Sequence, residues 1–314
     1  MATVSTKTGL ALQIYAKTIA AFETKNVFKE LCTTQTITSG FSHRFNVMGS
    51  GIDTDVNSFA LGATPTESQL SINKRDIVVT RTLTSRKKID NWERKAANFD
   101  MVSAAVDQNA TSMAIKVDKL ALGQLDAAML EAQLLAEDGS GKVVQDTAGV
   151  VNVDLTGLTT PESIGDIYVS ALFRAGGILN EKDQVGKARY FVTSEEVYES
   201  MVQSKKGVNS DYNRGNNGSI MDGNIFKIND IAILTSNHIK STGLASQATG
   251  KALNGKVLKG WLLTEDVVGI TELIGLNTTE WEEKKEKAYY TDVEYACGMG
   301  VLNPASLVAI TTAS

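Results

Sequence analysis

The sequence predicts an α+β fold in which an extended two-stranded hairpin runs into one long helix. Phe41–Val47 alternates apolar and polar residues with period two, as a strand does. Ile77–Thr84 alternates in the same way and is rich in β-branched residues, which favour a pleated, half-exposed strand. From Asp100 to Leu135 the apolar residues instead step by three and four with no proline between them, which is helical spacing. Helices and strands alternate afterwards without a βαβ fingerprint, so the class is α+β and not a doubly wound parallel sheet.

The 314 residues, 42% of them hydrophobic, are enough to bury a sizeable core. The net charge of −5 argues against a protein that grips nucleic acid through many phosphate contacts. The two cysteines, Cys32 and Cys297, and two histidines, His43 and His238, lack the paired spacing of a structural zinc site. Two isolated cysteines make no disulfide framework and read as reduced, buried thiols. The N-terminus has no basic region leading into an apolar core, and no run of about 18 apolar residues occurs. The expectation is a soluble chain made in the cytosol, with no membrane partner and no cofactor.

Gly9–Leu31 is amphipathic but broken, and reads as an arm with one or two helical turns. The strand at Phe41–Val47 puts Phe41, His43, Phe45 and Val47 on one face and stops at Gly49-Ser50-Gly51. Asp53–Ser71 is polar and turn-rich, as a hairpin tip would be, and Arg75-Asp76 opens the return strand. Both faces of this hairpin carry polar groups, and an isolated two-stranded hairpin is marginal in water, so it requires outside contacts. Arg86–Lys88 and Asp90–Lys95 read as a short charged helix. The long helix follows, with Gly139-Ser140-Gly141 as its stop. A β-rich connector at Val143–Leu155 precedes a helix from Pro161 to Gly176-Gly177. Ala188–Thr193 is a strand, and Ser194 caps a helix to about Gln203. Lys205–Asn224 is a Gly/Asn-rich loop; strands at Ile225–Ile228, Ile231–Thr235 and Gly260–Thr264 and a β-rich tail from Thr271 to Thr311 close the chain.

No motif carries catalysis. Gly139-Ser140-Gly141-Lys142 lacks the upstream glycine and the magnesium-holding hydroxyl of a P-loop, and reads as a turn. Asp53, Asp55 and Asn57 match the opening of a calcium loop, but Ser58 and Thr64 stand where glycine and glutamate are needed. Glu280–Lys287 reads as solvated ion pairs on an exposed face. Lys74, Arg75, Arg81, Arg86, Lys87 and Lys88 concentrate positive charge on the return strand. Asp76 and Asp90 interrupt the run and no aromatic residue interleaves for base stacking, so an acidic surface on an identical subunit suits it better than nucleic acid. A nucleic-acid-binding protein and an enzyme of unrecognised type stand as the alternatives to self-assembly.

Four stretches resemble the major capsid proteins of short-tailed, T-seven-like podoviruses, which share the tailed-phage and herpesvirus major capsid fold. Thr38-Ser39-Gly40 with Phe45–Gly49 resembles the family's turn and following strand. Ala63–Glu67 and Lys74–Ile77 resemble its hairpin tip and basic return strand, while Asp100–Leu135 lies where its spine helix does. Tyr295–Pro304 resembles the closing strand pair. The resemblance covers about 39–135 and 288–310. It implies an N-terminal arm at 1–46, an extended loop (E-loop) at 47–95 and a peripheral domain with the spine helix at 96–186. An axial domain at 187–285 and C-terminal strands at 286–314 complete the division. It further implies homo-hexamers and pentamers that form an icosahedral virion shell around double-stranded DNA, assembled in the host cytoplasm with a portal. Because the chain starts almost at the arm, a separate scaffolding protein is expected; no lysine–asparagine pair is marked for cross-linking, so closure is expected to be noncovalent. Pro65 and Glu67 at the tip join the six basic residues as expected intersubunit contacts, and no residue is assigned to catalysis or to a metal.

Overall fold

A computed structural model describes residues 16–20, 22, 26–48, 72–97, 100–137, 142–204, 227–236, 239 and 256–312. The chain forms two compact units. Met1–His43, Ile77–Gln124 and Gly269–Gly300 make the first, and Arg44–Asp76, Leu125–Val268 and Val301–Ser314 the second. The tip residues Pro65 and Glu67, the calcium-like stretch, Gly139–Gly141 and the Lys205–Asn224 loop lie outside the described residues.

In the first unit a four-stranded sheet has the order β1 (Thr33–Thr36), β12 (Val268–Glu283), β13 (Ala288–Val301), β4 (Thr82–Asp90). β1 runs parallel to β12, and β4 runs antiparallel to β13 with Arg86 opposite Asp292 and Thr82 opposite Ala296. Helix α1 (Asn91–Ala96) follows β4, and the long helix α2 (Met101–Leu130) lays its small residues against the sheet. Ala110, Met113, Ala114 and Val117 meet Ile270, Val293, Tyr295 and Phe22 in one cluster. Alanine at positions four apart lets helix and sheet approach closely, and the periodicity read from sequence is the stripe that is buried. Polar groups fix the register of that packing. Asn109 donates to the Thr291 hydroxyl (3.1 Å) and accepts from Ser85 (2.9 Å), and buried Asp118 accepts the Phe28 amide (3.2 Å). Lys29 pairs with Glu272 (2.9 Å) and lies over the Phe22 and Tyr295 rings, and the Tyr295 hydroxyl also donates to Glu272.

Three expectations are corrected here. Arg86–Lys88 belongs to strand β4, not to a helix: Leu83, Ser85, Lys87 and Ile89 are its less exposed face, and pairing with β13 outweighs local charge. The helix is 30 residues, about 45 Å, and stops at Leu130, because Leu134–Leu135 (β5) pairs with Val143–Gln145 (β6). The arm is not loose from Phe22 onward, where the aromatic core, Asp118 and β1 hold it.

The second unit is built on a six-stranded sheet of order β7 (Gly149–Val153), β14 (Leu307–Thr312), β11 (Val257–Thr264), β8 (Arg189–Thr193), β10 (Ile231–Thr235), β9 (Lys227–Ile228). β7 with β14 and β10 with β8 are parallel pairs; the rest are antiparallel. Helices α3 (Pro161–Glu181) and α4 (Glu195–Val202) cover one face, burying Tyr168, Leu172, Leu179, Val197 and Met201 against Phe191, Ile231, Leu262 and Val308. Thr160 caps α3 and Pro161 opens it, as the sequence indicates. The expected stop at Gly176-Gly177 fails. Burial of Ala175 and Leu179 on the same stripe carries the helix through, against about 1 kcal/mol of helix propensity lost per glycine.

Candidate self-assembly surface

The hairpin pairs β2 (Ser42–Met48) with β3 (Ile72–Val78). The Val79 amide donates to the Phe41 carbonyl (2.7 Å) and Arg44 grips Asp76 through two nitrogens (2.7 and 2.9 Å), so the strands run antiparallel. Alternation then separates two faces. His43, Phe45, Val47, Ile77 and Arg75 are wholly or partly covered, whereas Arg44, Asn46, Lys74 and Asp76 are exposed. Phe41, Met48 and Val78 are 71%, 61% and 48% exposed. Exposed apolar side chains of this size are candidates for a surface that a partner covers.

The end of the hairpin away from Phe41 and Val79 is also tied down. Asn73 donates to the Leu135 carbonyl (2.7 Å), the Lys74 amide to Glu137 (3.1 Å), and Gln145 to the Met48 carbonyl (3.0 Å). The predicted basic residues are largely engaged within the chain. Lys74 pairs with Glu137 (3.4 Å), Arg75 with Glu131 (3.1 Å), Arg86 with Asp292 (2.7 Å) and Lys88 with Glu286 (3.3 Å). Arg86 also lies over Trp281, which stacks on Tyr290. The Arg44 guanidinium holds the Asp76 carboxyl below its ordinary range, and hydrogen bonds from Tyr290 and Lys88 do the same for Glu286. Arg81 and Lys87 make no ion pair among the described residues. Phe41, Met48, Val78 and the exposed Trp92 (69%) were not picked out by sequence reasoning; strand alternation groups Phe41 with His43, Phe45 and Val47, and the structure leaves Phe41 exposed while those three are at least partly covered.

Nothing in the described residues assembles a reactive site. Burial pushes the Cys32 and Cys297 thiols up to about 12, which leaves them protonated and poor nucleophiles. Among the described residues no group of three metal-ligating side chains occurs and no helix is long and apolar enough to cross a membrane.

No family profile and no curated protein matches the sequence. Solved structures do match it. The capsid of cyanophage P-SCSP1u superposes with a TM-score of 0.72 at 20% identity, over 92% of this chain and 88% of its own. The fold is that of phage capsid proteins. The mature capsid of bacteriophage PhiM1 gives 0.69 at 15% identity over 92% and 87%. A virus-like particle from Pyrococcus furiosus gives 0.53 at 11% identity over 96% and 99%. The likeness spans about nine tenths of the chain with little shared sequence.

Proposed function

We propose that the chain is the major capsid protein of a short-tailed phage. It assembles as hexamers and pentamers into an icosahedral shell around double-stranded DNA, with a scaffolding protein during growth and a portal at one vertex. The carrying observation is the agreement over about nine tenths of both chains with the P-SCSP1u capsid. The exposed side of β2–β3 supports it, since Phe41, Met48 and Val78 need a neighbour to cover them. In this reading α2 is the spine of the subunit, and the hairpin with its Pro65–Glu67 tip is the extended loop that reaches a neighbouring copy. Arg81 and Lys87 are the cations left for an acidic surface there, while Lys74, Arg75, Arg86 and Lys88 shape the presenting strands.

Electron microscopy of the expressed protein, alone and with a candidate scaffolding protein co-expressed, tests this directly. Shells or capsomer rings are expected. Replacing Gly51–Ser71 by a short linker should leave a folded chain that forms none, and normal shells from that variant would refute the role given to the hairpin.

A further inference from the structure

The outer face of β13 changes character along its length. Tyr290, Asp292 and Glu294 are partly exposed, but Ala296, Gly298 and Gly300 on the same face are roofed by the chain that enters β4. Pairing of β4 with β13 ends at Thr82 opposite Ala296, and Ile77–Val79 then crosses over β13 instead of lying beside it. The crossing is tight. A Cβ on Gly298 would stand 2.4 Å from the Val78 carbonyl oxygen and 3.1 Å from the Val79 nitrogen. One on Gly300 would stand 3.0 Å from Cγ1 of Ile77. Val79, Ile37 and Ala296 close the contact in an apolar cluster, and the Val79 amide holds Phe41 across the base of the hairpin. Neither glycine has a positive φ, so the requirement is for space and not for backbone freedom.

We propose that Gly298 and Gly300 are positioning residues for assembly: they seat the base of the β2–β3 hairpin on the sheet, and a side chain there disturbs shell formation more than folding. This rests on the capsid reading above. An ordinary carbon–oxygen approach is near 3.3 Å, so a methyl at 298 displaces the Val78 carbonyl by about 1 Å. That displacement loosens the Val79–Phe41 bond and disturbs the Phe41–Val79 end of the hairpin. At Gly300 the obstruction is the side chain of Ile77, which can yield, so the effect there is smaller.

The test compares wild type, Gly298→Ala, Gly300→Ala and Gly300→Ala with Ile77→Val. Amide exchange at Val79 is measured in the free subunit, the melting temperature in parallel, and shells by electron microscopy. Gly298→Ala is expected to speed Val79 exchange by about tenfold and to lose regular shells while still melting cooperatively. Gly300→Ala shows a smaller change of the same sign, reduced again by Ile77→Val. Unchanged exchange in both glycine variants overturns the seating. Faster exchange with normal shells overturns the link to assembly. Should Gly298→Ala not fold, normal shells from Gly300→Ala alongside raised exchange overturn that link equally. Wild-type protein that forms no shells with its scaffold defeats the capsid reading instead, and the exchange data still decide the seating.

Discussion

The two units solve the same problem, a helix layer on a sheet, in different ways. In the second, α3 and α4 set large side chains such as Tyr168, Leu172 and Met201 against Phe191 and Leu262, and apolar volume holds the layers together. In the first, α2 offers mostly alanine, valine and methionine, and the packing is keyed by Asn109 to Thr291, Asp118 to Phe28 and Glu272 to both Lys29 and Tyr295. Small side chains bury less area and specify position weakly, so buried polar partners supply the register. The outer face of that sheet is covered by the hairpin base at one end and carries cross-strand ion pairs such as Arg86–Asp292 at the other. An apolar core tolerates this solvated face because the sheet needs only one buried side.

The contrast can be broken by measurement. Phe191→Ala in the second unit should cost about 3–5 kcal/mol in denaturant unfolding, because it empties a fully buried ring. Asp118→Ala should cost about 2–3 kcal/mol, with amide exchange rising at Val27 and Phe28, whose N–H groups lose their acceptor. If Asp118→Ala proves neutral, polar keying of the first unit is wrong. Asp126 adds a pH test. It is buried on α2 with one carboxyl oxygen unpartnered, and burial pushes its pKa up to about 7. The fold therefore favours the protonated acid, whose unfolded value is near 4. Its contribution is fully present below about pH 4 and is lost as the pH rises through about 7. Asp126→Asn should gain about 2–4 kcal/mol over wild type at pH 8, about 1 kcal/mol at pH 5 and almost nothing at pH 3; an equal effect at pH 8 and pH 3 would show that the acid does not titrate as described. Arg86→Ala should cost about 1–2 kcal/mol, the smallest of these effects, since Arg86 is itself 59% exposed but its loss leaves the Asp292 carboxylate, only 15% exposed, without its donor.

The Asp100–Leu135 periodicity, the alternation at Phe41–Val47 and the Pro161 helix start were all legible, because each is written in neighbouring residues. β1 was not: Thr33–Thr36 is exposed throughout and shows no alternation, so only its parallel pairing with β12 makes it a strand. Arg86–Lys88 failed for a related reason, since three adjacent cations look helical until Asp292 on β13, 206 residues further along the chain, and Glu286 in the turn before it supply partners to Arg86 and Lys88. The candidate surface was half visible. The hairpin was found and Phe41 grouped on one face with His43, Phe45 and Val47, but the sequence did not show that four of the six basic residues have carboxylate partners within the chain, or that Phe41 is exposed.

By itself the sequence determined the α+β class, the hairpin followed by a long helix, and the lack of any catalytic motif, since periodicity and motif spacing are local properties. The tertiary structure alone decided where the helices end, which cations are already paired, and which hairpin residues face outward. Those depend on contacts between distant segments, as at Gly298 beneath Val78, where the decisive fact is the space a missing side chain leaves. The polarity of both hairpin faces was visible in the sequence; the close approach of Val78 to Gly298 was not.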